Sequence, residues 1–257
     1  MSADSSSRAA RSVRRSGAPD LVTLRAARLL ESADIVFHDA LIHPETLALA
    51  QRARLVDVGK RYGKVSTEQR FINRSLIEAA RTHAVVVRLK GGDPMLFGRA
   101  QEELDALAAE GIDTEVVPGV TAALAATASA KVSMTRRGIA RSVAFLTPRV
   151  GKDEGASTWI GAAMAADSIA LYMAAGAAQD IARALIDAGK PAATPALLVE
   201  NASLPDERRA LTTLAALART PLPRAPGPVV MLVGTAFERA VAKPDSVPRF
   251  SIPLAAS

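Results

Sequence analysis

The stretch Ala84-Val-Val-Val-Arg-Leu89, followed at once by Lys90-Gly91-Gly92-Asp93-Pro94, decides how this chain is read. Its first six residues are nearly all apolar and β-branched, the pattern of a strand buried on both faces. Strands buried in that way are typically parallel, because crossover helices cover both faces of the sheet. The two glycines end the strand and allow close approach to the backbone.

The same grammar extends in both directions. Upstream, residues 34–38 read as a short buried strand and residues 55–58 as the next, closed by Gly59. Leu21, Leu24, Ala27 and Leu30 recur at helical spacing, so 21–33 reads as a helix, and a second helix starts near Pro44. Ser66-Thr-Glu-Gln69 has the spacing of a capping box, continued on one helical face by Ile72, Leu76 and Ala79. Downstream, Leu104, Leu107 and Ala108 lie on a helix stopped by Gly111; 114–117 is a strand and 120–129 a helix. The second half repeats the alternation, with strands at 143–147, 169–173, 196–199 and 229–233 and a helix at 181–188. Alternating strands and helices predict an α/β fold with a parallel sheet. The polar, basic stretch 131–141 has little periodicity and reads as a junction. The expected organisation is a disordered basic arm (1–16), two α/β domains (17–130 and 131–243) and an irregular tail (244–257).

Composition narrows the function classes. The 257 residues suffice for a real core, and 49% apolar with 23% charged is a globular balance. Aromatics at 4% argue against a stacking platform for single-stranded nucleic acid. The absence of cysteine excludes disulfides, zinc–thiolate sites, iron–sulfur clusters and a thiol nucleophile. No apolar run is long enough for a membrane span, and the first sixteen residues hold no apolar core of a secretory signal. Of the net charge of +6, half comes from Arg8, Arg11, Arg14 and Arg15 against Asp4. The rest of the chain is only mildly basic, which does not press for nucleic acid and suits an anionic small substrate. His38, His43 and His83 have no metal-ligand spacing, and there is no Walker loop, dinucleotide fingerprint or Gly-x-Ser-x-Gly elbow.

Ligands of open α/β sheets bind beyond the carboxyl ends of the strands. There the chain places His38-Asp39, Gly59-Lys60-Arg61, Gly91-Gly92-Asp93, Pro118-Gly119-Val120-Thr121, Tyr172-Met173 and Glu200-Asn201-Ala202. Asp39 and Lys60 could work as a base and an acid, although a plain surface ion pair is the simpler reading of two such residues alone. A tight turn capped by Asp93 accounts for the double glycine as well as a ligand loop does.

Together these motifs resemble the tetrapyrrole methylases. The carrying residues are Ala33–Leu41, Val58-Gly-Lys-Arg61, Gln69 with Ile72-Asn73, Val87–Arg99, Val117-Pro-Gly-Val-Thr121, Met134-Thr-Arg-Arg-Gly138, Leu171-Tyr-Met173 and Val199-Glu-Asn201, spread from about Gly17 to Phe237. The resemblance implies two α/β domains with an active-site cleft between them, S-adenosylmethionine as co-substrate and no metal. It implies a cytoplasmic homodimer with no nucleic-acid or membrane partner. The implied reaction is the addition of two methyl groups to carbons of uroporphyrinogen III, giving precorrin-2 for sirohaem and cobalamin synthesis. Position by position, Gly91, Gly92 and Asp93 match the cofactor loop, and Leu96 an apolar contact beside it. Thr121 and Ala122 match a second cofactor segment; Met173, Ala202 and Val229 match contacts from the second domain. Asp39 matches the proton acceptor and Lys60 the proton donor. Arg61, Arg99, Arg136, Arg137 and Arg149 are candidates to hold substrate carboxylates, some of them ordinary surface charge.

The amino terminus departs from the pattern. The family opens with an apolar strand and a glycine-rich loop, whereas this chain has arginines at 8, 11, 14 and 15 and keeps only Gly17 and Pro19-Asp20 of the loop. Such a stretch is a poor buried strand. Either the start is not the native one or the first strand is missing, and both imply weakened cofactor affinity. Two other functions stand beside the first. One is a methyltransferase of the same superfamily acting on another precorrin position, diphthine or ribosomal RNA. The other is a tetrapyrrole-binding protein without catalysis.

Overall fold

The computed structural model describes residues 9–15 (backbone only), 18–40, 42–59, 69–149, 158–174, 176–220, 225 and 227–240. The chain divides into two compact units, Met1–Thr121 and Ala122–Ser257.

The first unit is built on a five-stranded parallel sheet. Its elements are β1 (Ala9–Arg15), α1 (Leu24–Glu31), β2 (Ile35–His38), α2 (Pro44–Leu47), β3 (Arg54–Asp57), α3 (Gln69–Thr82), β4 (Val85–Gly91), α4 (Ala100–Ala109) and β5 (Asp113–Val117). The strand order is β3-β2-β4-β1-β5. Both faces of β4 are buried, as its composition predicts. Val87 and Leu89 pack with Leu29 and Leu30 of α1, whereas Val86 packs with Ile72 and Leu76 of α3 and Leu107 of α4.

The expectation of a disordered arm at 1–16 is corrected for residues 9–15. They form β1, which pairs in parallel with β4 over Ala9–Arg15 and with β5 over Ala9–Val13. The physical reason lies in the ladder. Without β1, both β4 and β5 would present unpaired edges inside the sheet, and a central strand satisfies both through its backbone whatever its side chains are. The account in which the first strand is missing therefore falls. The remaining residues of the expected arm, 1–8 and 16, together with Gly17 and the expected tail 244–257, lie outside the described residues.

The second unit holds α5 (Ala122–Ser129), β6 (Val143–Leu146), α6 (Trp159–Ala165), β7 (Ser168–Leu171), α7 (Ala178–Asp187), β8 (Pro195–Glu200), β9 (Arg208–Thr213), α8 (Leu214–Arg219) and β10 (Val229–Val233). Its sheet has the order β6-β7-β10-β8-β9 and is mixed. β6 and β7 are parallel, β10 runs antiparallel to β7 and β8, and β9 is antiparallel to β8. A second all-parallel sheet is thus not formed. The reason is β9, whose two arginines and partly exposed residues hide an edge strand from a reading based on apolar runs. It returns the chain by a hairpin, so no crossover helix links β8 to it.

The boundary also moves. Helix α5 precedes the stretch read as the junction, yet Ala123 and Ala126 pack with Leu197, Val199, Val230 and Leu232 of the second sheet. Its alanines are apolar all round, so no stripe on the helix announces which sheet it covers.

Candidate functional site

The carboxyl edge of the first sheet gathers charge in an otherwise apolar environment. Strand β2 ends at His38, and Asp39 extends its pairing by donating its N–H to the Leu89 carbonyl at 3.3 Å. On β4, Arg88 and Lys90 follow Val86 on one face, with 7% and 3% of their side chains exposed. Glu103 on α4 reaches into this face and is 4% exposed. Its Oε1 accepts from Lys90 Nζ at 2.8 Å, Arg88 Nε at 3.2 Å and Gln69 Nε2 at 3.3 Å. Arg88 turns its Nη2 to Asp39 Oδ1 at 2.5 Å and its Nη1 to the carbonyls of Leu89 and Phe37. Asp39 is therefore held at one oxygen, with its side chain 30% exposed.

Burial, aided by the Arg88 charge, lowers the Lys90 ammonium from 10.5 to about 8, against the opposing pull of Glu103 and Asp39. The unfolded chain then binds more protons than the folded one between about pH 8 and 10.5. Stability rises with pH wherever that holds. Urea unfolding of wild type and Lys90→Met should show wild type gaining on the variant as pH rises from 7 to 10. A gap independent of pH would contradict the assignment.

A second group forms where β4 and β5 end. Gly92 has φ +85°, a conformation that favours glycine, and a Cβ built there would lie 3.8 Å from Thr121 Cα. Asp93 ties the two loops together: Oδ2 accepts from Gly119 N–H and Oδ1 from Met95 N–H, both at 2.9 Å. Leu96 closes the turn by donating to the Asp93 carbonyl at 3.2 Å. Both Asp93 oxygens thus shape the loop. Thr121 is buried, and Ala122 opens α5. Phe97 and Arg99 adopt left-handed backbone without being glycine, strain of the kind that clusters at functional sites.

The second sheet shows the same habit at one edge. Met173 follows β7, Ala202 follows β8, and Val229 opens antiparallel β10 opposite Glu200. Met173, Asn201 and Ser203 all have positive φ. Asn201 N–H donates to the Pro228 carbonyl at 3.0 Å, and buried Glu200 accepts from Gly227 N–H at 2.9 Å. Tyr172 Oη accepts from Ala123 N–H at 3.2 Å, anchoring the start of α5.

The remaining candidates divide. Lys60 and Arg61 lie outside the described residues; among the described residues the cation on Asp39 is Arg88. Arg99 forks onto Glu102 at 2.6 and 2.7 Å, and that hydrogen bonding holds the Glu102 carboxyl below its usual range. Among the described residues Arg136, Arg137 and Arg149 meet no carboxylate, and Arg137 and Arg149 are exposed. The network of Arg88, Lys90 and Glu103 was missed in the sequence. Its signal was present: two cations at alternate positions of an otherwise apolar strand must share one buried face. Among the described residues no cluster of three or more His, Asp or Glu could hold a metal, and no helix is long and apolar enough to cross a membrane.

The family description Tetrapyrrole (Corrin/Porphyrin) Methylases matches residues 16–218. The chain belongs to the tetrapyrrole methylase family. It is 42% identical over 224 residues to the uroporphyrinogen-III C-methyltransferase of Paracoccus denitrificans, covering 85% of this chain and 77% of that one. It is 39% identical over 232 residues to the enzyme of the same name from Pseudomonas aeruginosa, covering 90% and 94%. Among solved structures it resembles a uroporphyrin-III C-methyltransferase of Thermus thermophilus complexed with S-adenosylhomocysteine, at a TM-score of 0.79 and 36% identity, over 90% of this chain and 99% of that one. In this tetrapyrrole methylase, Gly91, Gly92 and Asp93 lie on the loop that Asp93 closes onto Gly119.

Proposed function

We propose that this chain is an S-adenosylmethionine-dependent C-methyltransferase that adds two methyl groups to uroporphyrinogen III and yields precorrin-2. The observation that carries the reading is the Asp93 bridge, which sets the side-chain-free backbone of Gly91-Gly92 against Pro118–Thr121. Those residues fit a cofactor loop, because they leave room for close approach to backbone polar groups while the Asp93 carboxylate stays committed to the loop. The relatives named for this reaction, with identities near 40%, point the same way.

In this reading Gly91, Gly92, Asp93, Leu96, Thr121 and Ala122 contact the co-substrate, as do Met173, Ala202 and Val229. When bound, the sulfonium supplies a methyl group already activated for attack by a pyrrole carbon, leaving as a neutral thioether. The protein has to align the two partners and exclude water. Asp39 takes the proton released after the ring is methylated, and Lys60 donates where the ring system rearranges. Arg136, Arg137 and Arg149, with Arg61, bind the substrate carboxylates. Arg99 joins them when Glu102 releases it. The working form is a cytoplasmic homodimer of two-domain protomers.

An anaerobic incubation with uroporphyrinogen III and S-adenosylmethionine, read by the mass of the tetrapyrrole, tests the reading. A gain of two methyl groups is expected. Methylation only of a different precorrin would move the chain to another reaction of its family. Tetrapyrrole binding without any gain in mass would overturn catalysis altogether.

A further inference from the structure

We propose that Arg88 is the positioning residue of the methylation site: braced by Glu103, it fixes the carboxylate of Asp39 so that one oxygen is anchored and the other faces the substrate. The proposal rests on Asp39 as the proton acceptor.

Four observations support it. First, every nitrogen of the Arg88 guanidinium is engaged. Nε meets Glu103, Nη1 meets the carbonyls of Phe37 and Leu89, and Nη2 meets Asp39 Oδ1. A planar fork held on three sides cannot rotate, so it transmits a fixed direction to whatever it grips. Second, among the described residues Asp39 Oδ2 takes no hydrogen bond, while the side chain keeps 30% of its surface. One oxygen clamped and one open is the geometry of a carboxylate aimed at a ligand. Third, the arrangement is costly. A guanidinium 7% exposed stands on a face where Val86, two residues earlier, is simply apolar. A packed apolar side chain would serve stability as well or better. Fourth, the brace is built for orientation. Glu103 Oε1 takes Arg88, Lys90 and Gln69 together, so it joins β4, α3 and α4 at one atom.

Arginine does not give up its proton in proteins, so Arg88 is no proton carrier. Its effect passes through Asp39. Lysine at this position keeps the charge but offers a single ammonium, which cannot reach Glu103, the two carbonyls and Asp39 in a fixed plane.

Steady-state turnover of the full chain under anaerobic conditions tests this, with Arg88→Lys, Asp39→Asn and the double variant. Misplacement of a reacting group by about 1 Å costs on the order of 100-fold. Arg88→Lys should therefore lower kcat by roughly 10- to 100-fold and leave KM for S-adenosylmethionine within about twofold, because the glycine loop is held separately by Asp93. The double variant should be no slower than Asp39→Asn alone. Full multiplication of the two losses, or an unchanged kcat in Arg88→Lys, would overturn the proposal. If Asp39→Asn turns over like wild type, it is the acceptor reading that fails, and the failure is separate from that of Arg88. Should Arg88→Lys not fold, Glu103→Gln carries the same test. It keeps an oxygen for Arg88 but removes the charge, and its smaller kcat loss should again vanish on the Asp39→Asn background.

Discussion

Glu103→Ala is expected to destabilise the protein by about 3–5 kcal/mol, the range for breaking a buried ion pair from one side. For a chain of this size that corresponds to a fall in melting temperature of roughly 6–20 °C. The carboxylate is 4% exposed and serves two cations that are themselves buried. Removing it leaves Arg88 with Asp39 but strands Lys90, which must then lose its proton or remain an unpaired charge in the interior. The mechanism is checked by a second substitution. Lys90→Met in the Glu103→Ala background removes the stranded charge, so the double variant should recover at least about 1 kcal/mol relative to additivity. Calorimetry or urea unfolding reads both. A loss below about 1 kcal/mol for Glu103→Ala would show that the network is not what holds α4 against the sheet.

Gly59→Ala is expected to cost about 3 kcal/mol or more and to lower turnover by around 100-fold. A Cβ at this position would lie 1.9 Å from Ala40 N, 2.7 Å from Ala40 Cβ and 2.8 Å from Ala40 Cα. These neighbours belong to backbone or stand directly on it, so no side-chain rotation relieves the clash. What must move is the turn after β2 or the end of β3. That turn carries Asp39, whose carbonyl also accepts from Ile42 N–H at 3.2 Å. The two losses are separable. Unfolding measures the strain, while kcat at a temperature where the variant is folded measures the displacement of Asp39. A variant with wild-type stability would mean that the two strand ends are not in contact.

Much of this site was legible before any coordinates. The glycine–aspartate loop could be read because its chemistry is local: Gly92 needs its φ of +85°, and the strand before it is apolar residue by residue. Asp39 was found for a similar reason, since it directly follows a short buried strand. Arg88, the cation that grips Asp39 among the described residues, was not found, because it lies forty-nine residues away on the neighbouring strand. Strand β9 escaped because its pattern is an edge pattern, and α5 was assigned to the wrong side because uniform alanine has no face.

The sequence by itself determined the α/β class, the order of most elements, the family and the polar and glycine loops that follow the strand ends. All of these rest on short-range signals: periodicity, β-branching, glycine and the composition of strand ends. Tertiary structure alone decided three things. It made an arginine-rich segment an interior strand, β1, because two flanking ladders needed a backbone between them. It reversed β9 and β10 within the second sheet, because a hairpin replaced a crossover. It also brought buried Arg88, Lys90 and Glu103 together with half-buried Asp39 in one cluster, where the balance of four charges is a property of neighbouring strands and a packed helix that no single segment contains.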